Sequence, residues 1–92
     1  MEEYVNRAKN FARTVVEILE SKRKLTTRGL IEKLREKYLY RKDKIFLILV
    51  ALYNHDIIGM KIVGRSYVIY LKDASEERLD RFAKKNWILF VF

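Results

Sequence analysis

The chain has 92 residues and a formal net charge of +8, with 20 lysines and arginines against 12 acids. Half of it is apolar, enough to fill one core but not two, so it is a single domain, residues 1–92, and composition argues against disorder. The lack of cysteine and the single histidine exclude disulfides, thiolate chemistry and Cys- or His-rich metal sites; no apolar run approaches the ~20 residues of a membrane span.

Residues 2–21 read as a long amphipathic helix. Tyr4, Ala8, Phe11, Val15 and Ile18 recur at three- and four-residue spacing, and Val5, Ala12, Val16 and Leu19 widen the stripe. Glu2 and Glu3 complement the positive end of that helix, and Lys22, Arg23 and Lys24 its negative end. A stripe this broad can serve two neighbours, one inside the domain and one outside. Leu25 is expected to be a short extended link. Thr26 or Thr27 can then cap a second helix reaching Lys37, with Leu30, Ile31 and Leu34 inward and Arg28, Lys33 and Lys37 outward. Gly29 costs that helix about 1 kcal/mol relative to alanine, and a close approach of another backbone is one reason for it.

Tyr38-Leu39-Tyr40 is the expected turn into a third helix over residues 41–54. Ile45 to Leu52 is eight apolar residues in succession, and a helix apolar all round needs partners all round. Asn54-His55-Asp56 ends it, with His55 read as a capping residue rather than a ligand. Residues 57–63 and 66–71 form a hairpin across Gly64-Arg65, with Gly64 supplying positive φ. In that register Ile62 faces Tyr67, Met60 faces Ile69 and Ile58 faces Leu71, making one apolar side, while Lys61, Val63, Ser66, Val68 and Tyr70 fall on the other. Asp73 and Glu76 suggest a capping box for a last helix with Leu79, Phe82 and Ala83 as its stripe. The terminal run Trp87-Ile88-Leu89-Phe90-Val91-Phe92 must be buried, in the fold or against a second subunit.

The charge is unevenly spread. Residues 21–44 hold ten cations against Glu32, Glu36 and Asp43, a net +7, while the two signs nearly cancel elsewhere. A field gathered on one region suits a polyanion. Glutamine and proline are absent while charged residues abound, a bias that resembles proteins of hyperthermophiles and points to an archaeal or archaeal-virus source. The amino terminus opens on Glu2 and Glu3, unlike a signal peptide, so the expected location is cytoplasmic, in the host if viral.

From residue 11 to residue 72 the order of elements resembles the winged helix-turn-helix family. The matching pieces are the helix ending near Leu19, Leu25-Thr26-Thr27 leading to Leu30-Ile31 and Leu34, the 41–54 helix with Ile45, Leu49 and Leu52 inward, and Gly64-Arg65-Ser66-Tyr67 as wing. The resemblance implies an α+β fold of three helices and a two-stranded wing, with residues 73–92 added as a C-terminal helix and apolar tail. It implies a recognition helix over 41–54, with Arg41, Lys42, Lys44, Phe46, Leu47 and Val50 toward the major groove and the wing on backbone or minor groove. The apolar residues depart from usual base readers, so only the first turn of that helix is expected to reach DNA. The candidate DNA contacts are Arg28, Arg41, Lys42, Lys44, Lys61 and Arg65. Each also has a plainer reading as a solubilising surface charge.

The leading expectation is therefore a small dimeric transcriptional regulator of double-stranded DNA. Its two-fold contact would come from the N-terminal helix and Leu79, Phe82, Trp87 and Phe90. The alternative is a winged-helix adaptor docking another protein, such as a transcription or replication subunit, through its apolar third helix; structured RNA is a third class of partner. No nucleophile–base pair, paired carboxylates, glycine-rich phosphate loop or metal cluster is visible, so no enzyme activity, cofactor or small-molecule substrate is expected.

Overall fold

A computed structural model describes residues 1–91; Phe92, the last residue of the apolar terminus, lies outside the described residues. The chain folds as α1 (Glu2–Lys22), β1 (Lys24–Thr26), α2 (Thr27–Lys37), α3 (Lys42–Asn54), β2 (Ile58–Val63), β3 (Ser66–Leu71) and α4 (Glu76–Asn86), closing in a 3₁₀ turn (Trp87–Phe90). This is an α+β architecture of four α-helices with an antiparallel sheet in the order β1-β3-β2. None of its helices is long and apolar enough to cross a membrane among the described residues.

The helix α1 is the spine. Ala8, Phe11, Ala12, Val15, Val16 and Leu19 are all buried, and the stripe is wide because α1 serves two neighbours. Both come from this chain: α2 and the sheet on one side, α4 and the 3₁₀ turn on the other. Phe82 and Phe90 are completely enclosed and Leu79 nearly so. The apolar side chains expected to form a two-fold contact are thus already used within the chain. Among the described residues this segment leaves for a contact between copies Trp87, which stacks on Tyr4 with centroids 6.2 Å apart, and the exposed Ile88 and Val91.

Leu25, expected to be a short extended link, lies at the centre of a third strand, Lys24–Thr26. Lys24, Leu25 and Thr26 pair with Tyr70, Ile69 and Val68. Three residues are too few for alternation to reveal a strand; pairing with β3 makes it one. In the hairpin, Ile58, Met60 and Ile62 pair with Leu71, Ile69 and Tyr67, the register the alternation predicts. The uniformly apolar side is buried only near its base, where Ile58 and Ile69 are enclosed. At the tip Ile62 is 67% exposed and Tyr67 58%, because the strands extend past the helices that cover their base. On the opposite face Val68 is buried, flanked in register by Thr26 and Lys61.

α4 is capped by Ser75, whose hydroxyl accepts the Arg78 N–H, and not by an Asp73–Glu76 box. Asp73 instead accepts the Ser75 N–H and binds the Arg78 guanidinium at 2.7 Å, while Glu76 reaches across to Arg13 at 3.1 Å. α3 ends in a Schellman motif. Asp56 takes positive φ (59°), the Ile57 N–H bonds the Leu52 carbonyl and the Asp56 N–H that of Tyr53.

Candidate nucleic-acid interface

The turn between α2 and α3 is held from behind by aromatic rings. Tyr38 lies 4.8 Å and Tyr40 5.9 Å from Phe11, centroid to centroid, and Phe90 closes the group at 5.7 Å from Phe11. The Thr14 hydroxyl donates to the Asn10 carbonyl, so it accepts from the Tyr38 hydroxyl at 3.0 Å. With its two tyrosines turned inward, the turn pushes Leu39 fully into solvent.

That anchored turn brings cations together. A shallow depression of about 430 Å³ is lined by Arg35, Arg41, Lys42 and Asp43. A second of about 230 Å³, lined by Leu39, Tyr40, Arg41 and Lys44, adjoins it through Arg41. Arg41, Lys42 and Lys44 therefore share one site. Arg35 joins them, although the sequence alone did not single it out; its signal was its seven-residue spacing from Arg28. That spacing puts both arginines on one face of α2, roughly 10 Å apart along the axis. Arg28 lies at the other end of α2, just after Thr26, which caps the helix by accepting the Gly29 N–H at 3.0 Å. A Cβ at Gly29 would sit 3.2 Å from that same hydroxyl, so the residue is crowded by a side chain rather than by another backbone.

The hairpin cations are placed differently. Thr26 and Lys61 flank Val68 on neighbouring strands, which sets the start of α2 about 10 Å from the middle of the hairpin. Lys61 rests its ammonium over the Tyr70 ring, 5.5 Å from the centroid. Arg65 stands exposed beside Gly64, whose φ of 64° lets two residues close the turn. The candidates thus form two groups, one at each end of α2: Arg35, Arg41, Lys42 and Lys44 at the turn, and Arg28 with the hairpin.

Most of the ion pairs lie away from these candidates. Lys9 pairs with Glu76 and Asp80, Arg13 with Glu76, and Arg78 with Asp73 and Asp56, all between α1, α4 and the hairpin base. By contrast Arg28, Lys33, Arg35, Lys37, Lys42, Lys61 and Arg65 have no carboxylate within 4.0 Å among the described residues. Arg41 shares Asp43 at 3.5 Å with both side chains well exposed, an arrangement that contributes little.

The helix ends divide the same way. α1 opens on Glu2 and Glu3 and α4 on Glu76 and Glu77, as the helix dipole favours. α2 has no acid in its first turn and carries Arg28 there; α3 starts from Arg41 and Lys42 with Asp43 its one acid. Cations at two positive helix ends cost stability unless an anion joins them.

Beyond the first turn, α3 presents apolar residues to solvent, with Phe46 46% and Leu47 55% exposed and Val50 half-buried, while Ile45, Ile48, Leu49 and Leu52 fill the core. Among the described residues the closing 3₁₀ turn does not cover them; it packs on α1 and α4. His55 at the end of α3 joins that helix to α4: its Nε2 lies 3.2 Å from Asn86 Nδ2 and its carbonyl accepts from Arg78. The described residues hold no group of three or more His, Cys, Asp or Glu able to bind a metal. No protein-family model, curated protein or solved structure matches the chain, so the functional reading rests on its own residues.

Proposed function

We propose that the protein binds double-stranded DNA as a winged helix, with α3 as recognition helix and the β2–β3 hairpin as wing, and acts as a small regulator of transcription. One observation carries the reading: Arg28, Lys33, Arg35, Lys37, Lys42, Lys61 and Arg65, on α2, the start of α3 and the hairpin, have no carboxylate within 4.0 Å among the described residues, while Lys9, Arg13, Arg78, Arg81 and Lys84 on α1 and α4 are paired. Such a surface attracts a polyanion and holds it by releasing condensed counterions. In this reading Arg41, Lys42 and Lys44, with Arg35, take phosphates or guanine edges at the start of α3, and Arg28 takes a phosphate at the start of α2. Lys61 and Arg65 contact the duplex from the wing. Phosphate contacts dominate affinity, and sequence readout is limited because Phe46, Leu47 and Val50 can offer only apolar contact to thymine methyls.

The test is an anisotropy titration of a labelled duplex at several salt concentrations, with light scattering to count chains on the DNA. Log K should fall steeply with log salt, by roughly 0.9 per phosphate neutralised. No binding at low salt overturns the proposal.

The exposed Phe46 and Leu47 favour a second reading, an adaptor that docks another protein through α3. Lys42→Glu combined with Arg65→Glu separates the two. It abolishes DNA binding under the first reading and leaves partner capture intact under the second.

A further inference from the structure

The tip of the β2–β3 hairpin has a composition that solubility does not require. Ile62, Val63 and Tyr67 are 67%, 53% and 58% exposed, clustered around a turn of only two residues, Gly64 and Arg65. Their strand propensity is one reason to find β-branched and aromatic residues there, but threonine would serve a strand equally well and keep the tip wet. Residues 57–72 contain no acid, so the tip joins apolar side chains on both of its faces to an arginine and, one turn of the pleat back, to Lys61. That charge excludes a second copy of the same tip as its occupant and favours a polyanion. A two-residue turn is narrow, as entry into a minor groove about 6 Å wide requires. Arginine is drawn to the negative potential of such a groove, and apolar side chains that follow it can wedge between base steps and unstack them.

We propose that the hairpin tip is a DNA-bending wedge, with Arg65 leading into the minor groove, Ile62 entering a base step behind it and Val63, on the other face of the strand, resting on the groove wall. This rests on the DNA-binding reading above and adds to it: the protein shapes its DNA as well as holding it. The base step prised open is a flexible pyrimidine–purine step, which costs least to kink.

The experiment places a donor and an acceptor fluorophore at the ends of a short duplex containing a central TA step, with 2-aminopurine at that step. Binding is followed separately by anisotropy. The wild-type protein should bind, bend the duplex by roughly 20–90° and raise the 2-aminopurine emission. Ile62→Thr with Val63→Thr keeps β-branching and every cation, so it should bind with its salt dependence unchanged while the bend falls by at least half. Wild-type binding without bending or unstacking overturns the wedge and leaves the DNA-binding reading standing. A double variant that bends as the wild type does also overturns it. Absence of duplex binding, or capture by phosphatidylglycerol vesicles in preference to DNA, overturns both.

Discussion

The Tyr70 ring lies over Gly59, its partner on the neighbouring strand, so closely that a Cβ there would come within 2.6 Å of the phenol oxygen. The bare glycine leaves room for the ring, and the Lys61 ammonium also lies over it. A glycine that weakens a strand by itself is thus covered by an aromatic from across the ladder. Gly59→Ala should push the ring aside and cost about 1–3 kcal/mol. Thermal unfolding checks it, and in a Tyr70→Ala background the same substitution should cost much less; equal costs in both backgrounds would refute the contact.

The partnerless cations make a graded prediction about binding. Arg35→Ala and Lys42→Ala should each weaken duplex binding and flatten the salt dependence by roughly one unit of slope. Lys84→Ala, which breaks the 2.8 Å pair with Asp80 on α4, should leave both unchanged. If the α4 variant behaves like the other two, the charge acts only as a diffuse field.

Stability and binding should move in opposite directions at the start of α2. Replacing Arg28 by glutamate puts an acid at a helix end that has none and should stabilise the fold by about 0.3–1 kcal/mol at low salt. The same change should weaken DNA binding. Urea unfolding and anisotropy on one preparation decide it; a variant that binds as well as the wild type would show that Arg28 touches no phosphate.

His55 makes stability depend on pH. Burial lowers its pKa, and the Lys85, Arg81 and Arg78 charges lower it further, opposed by Asp56. The unfolded chain therefore takes up the proton first. Stability from this joint is complete above the ordinary histidine value of about 6.5 and is lost as pH falls through the lower folded value. Tm should decline below neutrality and decline less in His55→Gln. The carboxylates act in a separate, more acidic window. Hydrogen bonds from Ser75 lower the pKa of Asp73, and those from Arg13 and Lys84 lower Glu76 and Asp80 respectively. What they contribute is present above the ordinary carboxylate range and lost as pH falls below it.

At Asp56 the backbone holds a conformation that glycine adopts freely, and the side chain offsets this through Lys72 at 3.4 Å and Arg78 at 3.6 Å. Asp56→Ala removes the pairs and keeps the strain, so it should cost what two part-exposed pairs contribute, about 0.4–2 kcal/mol. Asp56→Gly should stay within about 0.5 kcal/mol of the wild type, since relief of strain offsets the lost pairs. Chemical denaturation of the two variants side by side measures the difference.

Much of the fold was legible in the residues because its signals are local. The spacing from Tyr4 to Leu19 sets a helix face, the Thr26 hydroxyl caps three residues ahead, and alternation about Gly64-Arg65 settles the register of β2 on β3. The cluster of cations at the start of α3 was legible too, being contiguous in the chain. What only the tertiary structure decided involves residues far apart in sequence. Lys24–Thr26 becomes a strand because β3 offers it a free edge. Phe90 is drawn to Phe11 and Tyr40, so the 3₁₀ turn closes on α1 and, among the described residues, leaves Phe46 and Leu47 open. Arg35 enters the candidate site because aromatic packing behind the turn folds α3 back beside it. Periodicity reports which face of an element is apolar; which neighbour covers that face, and how far along it, depends on packing between distant segments.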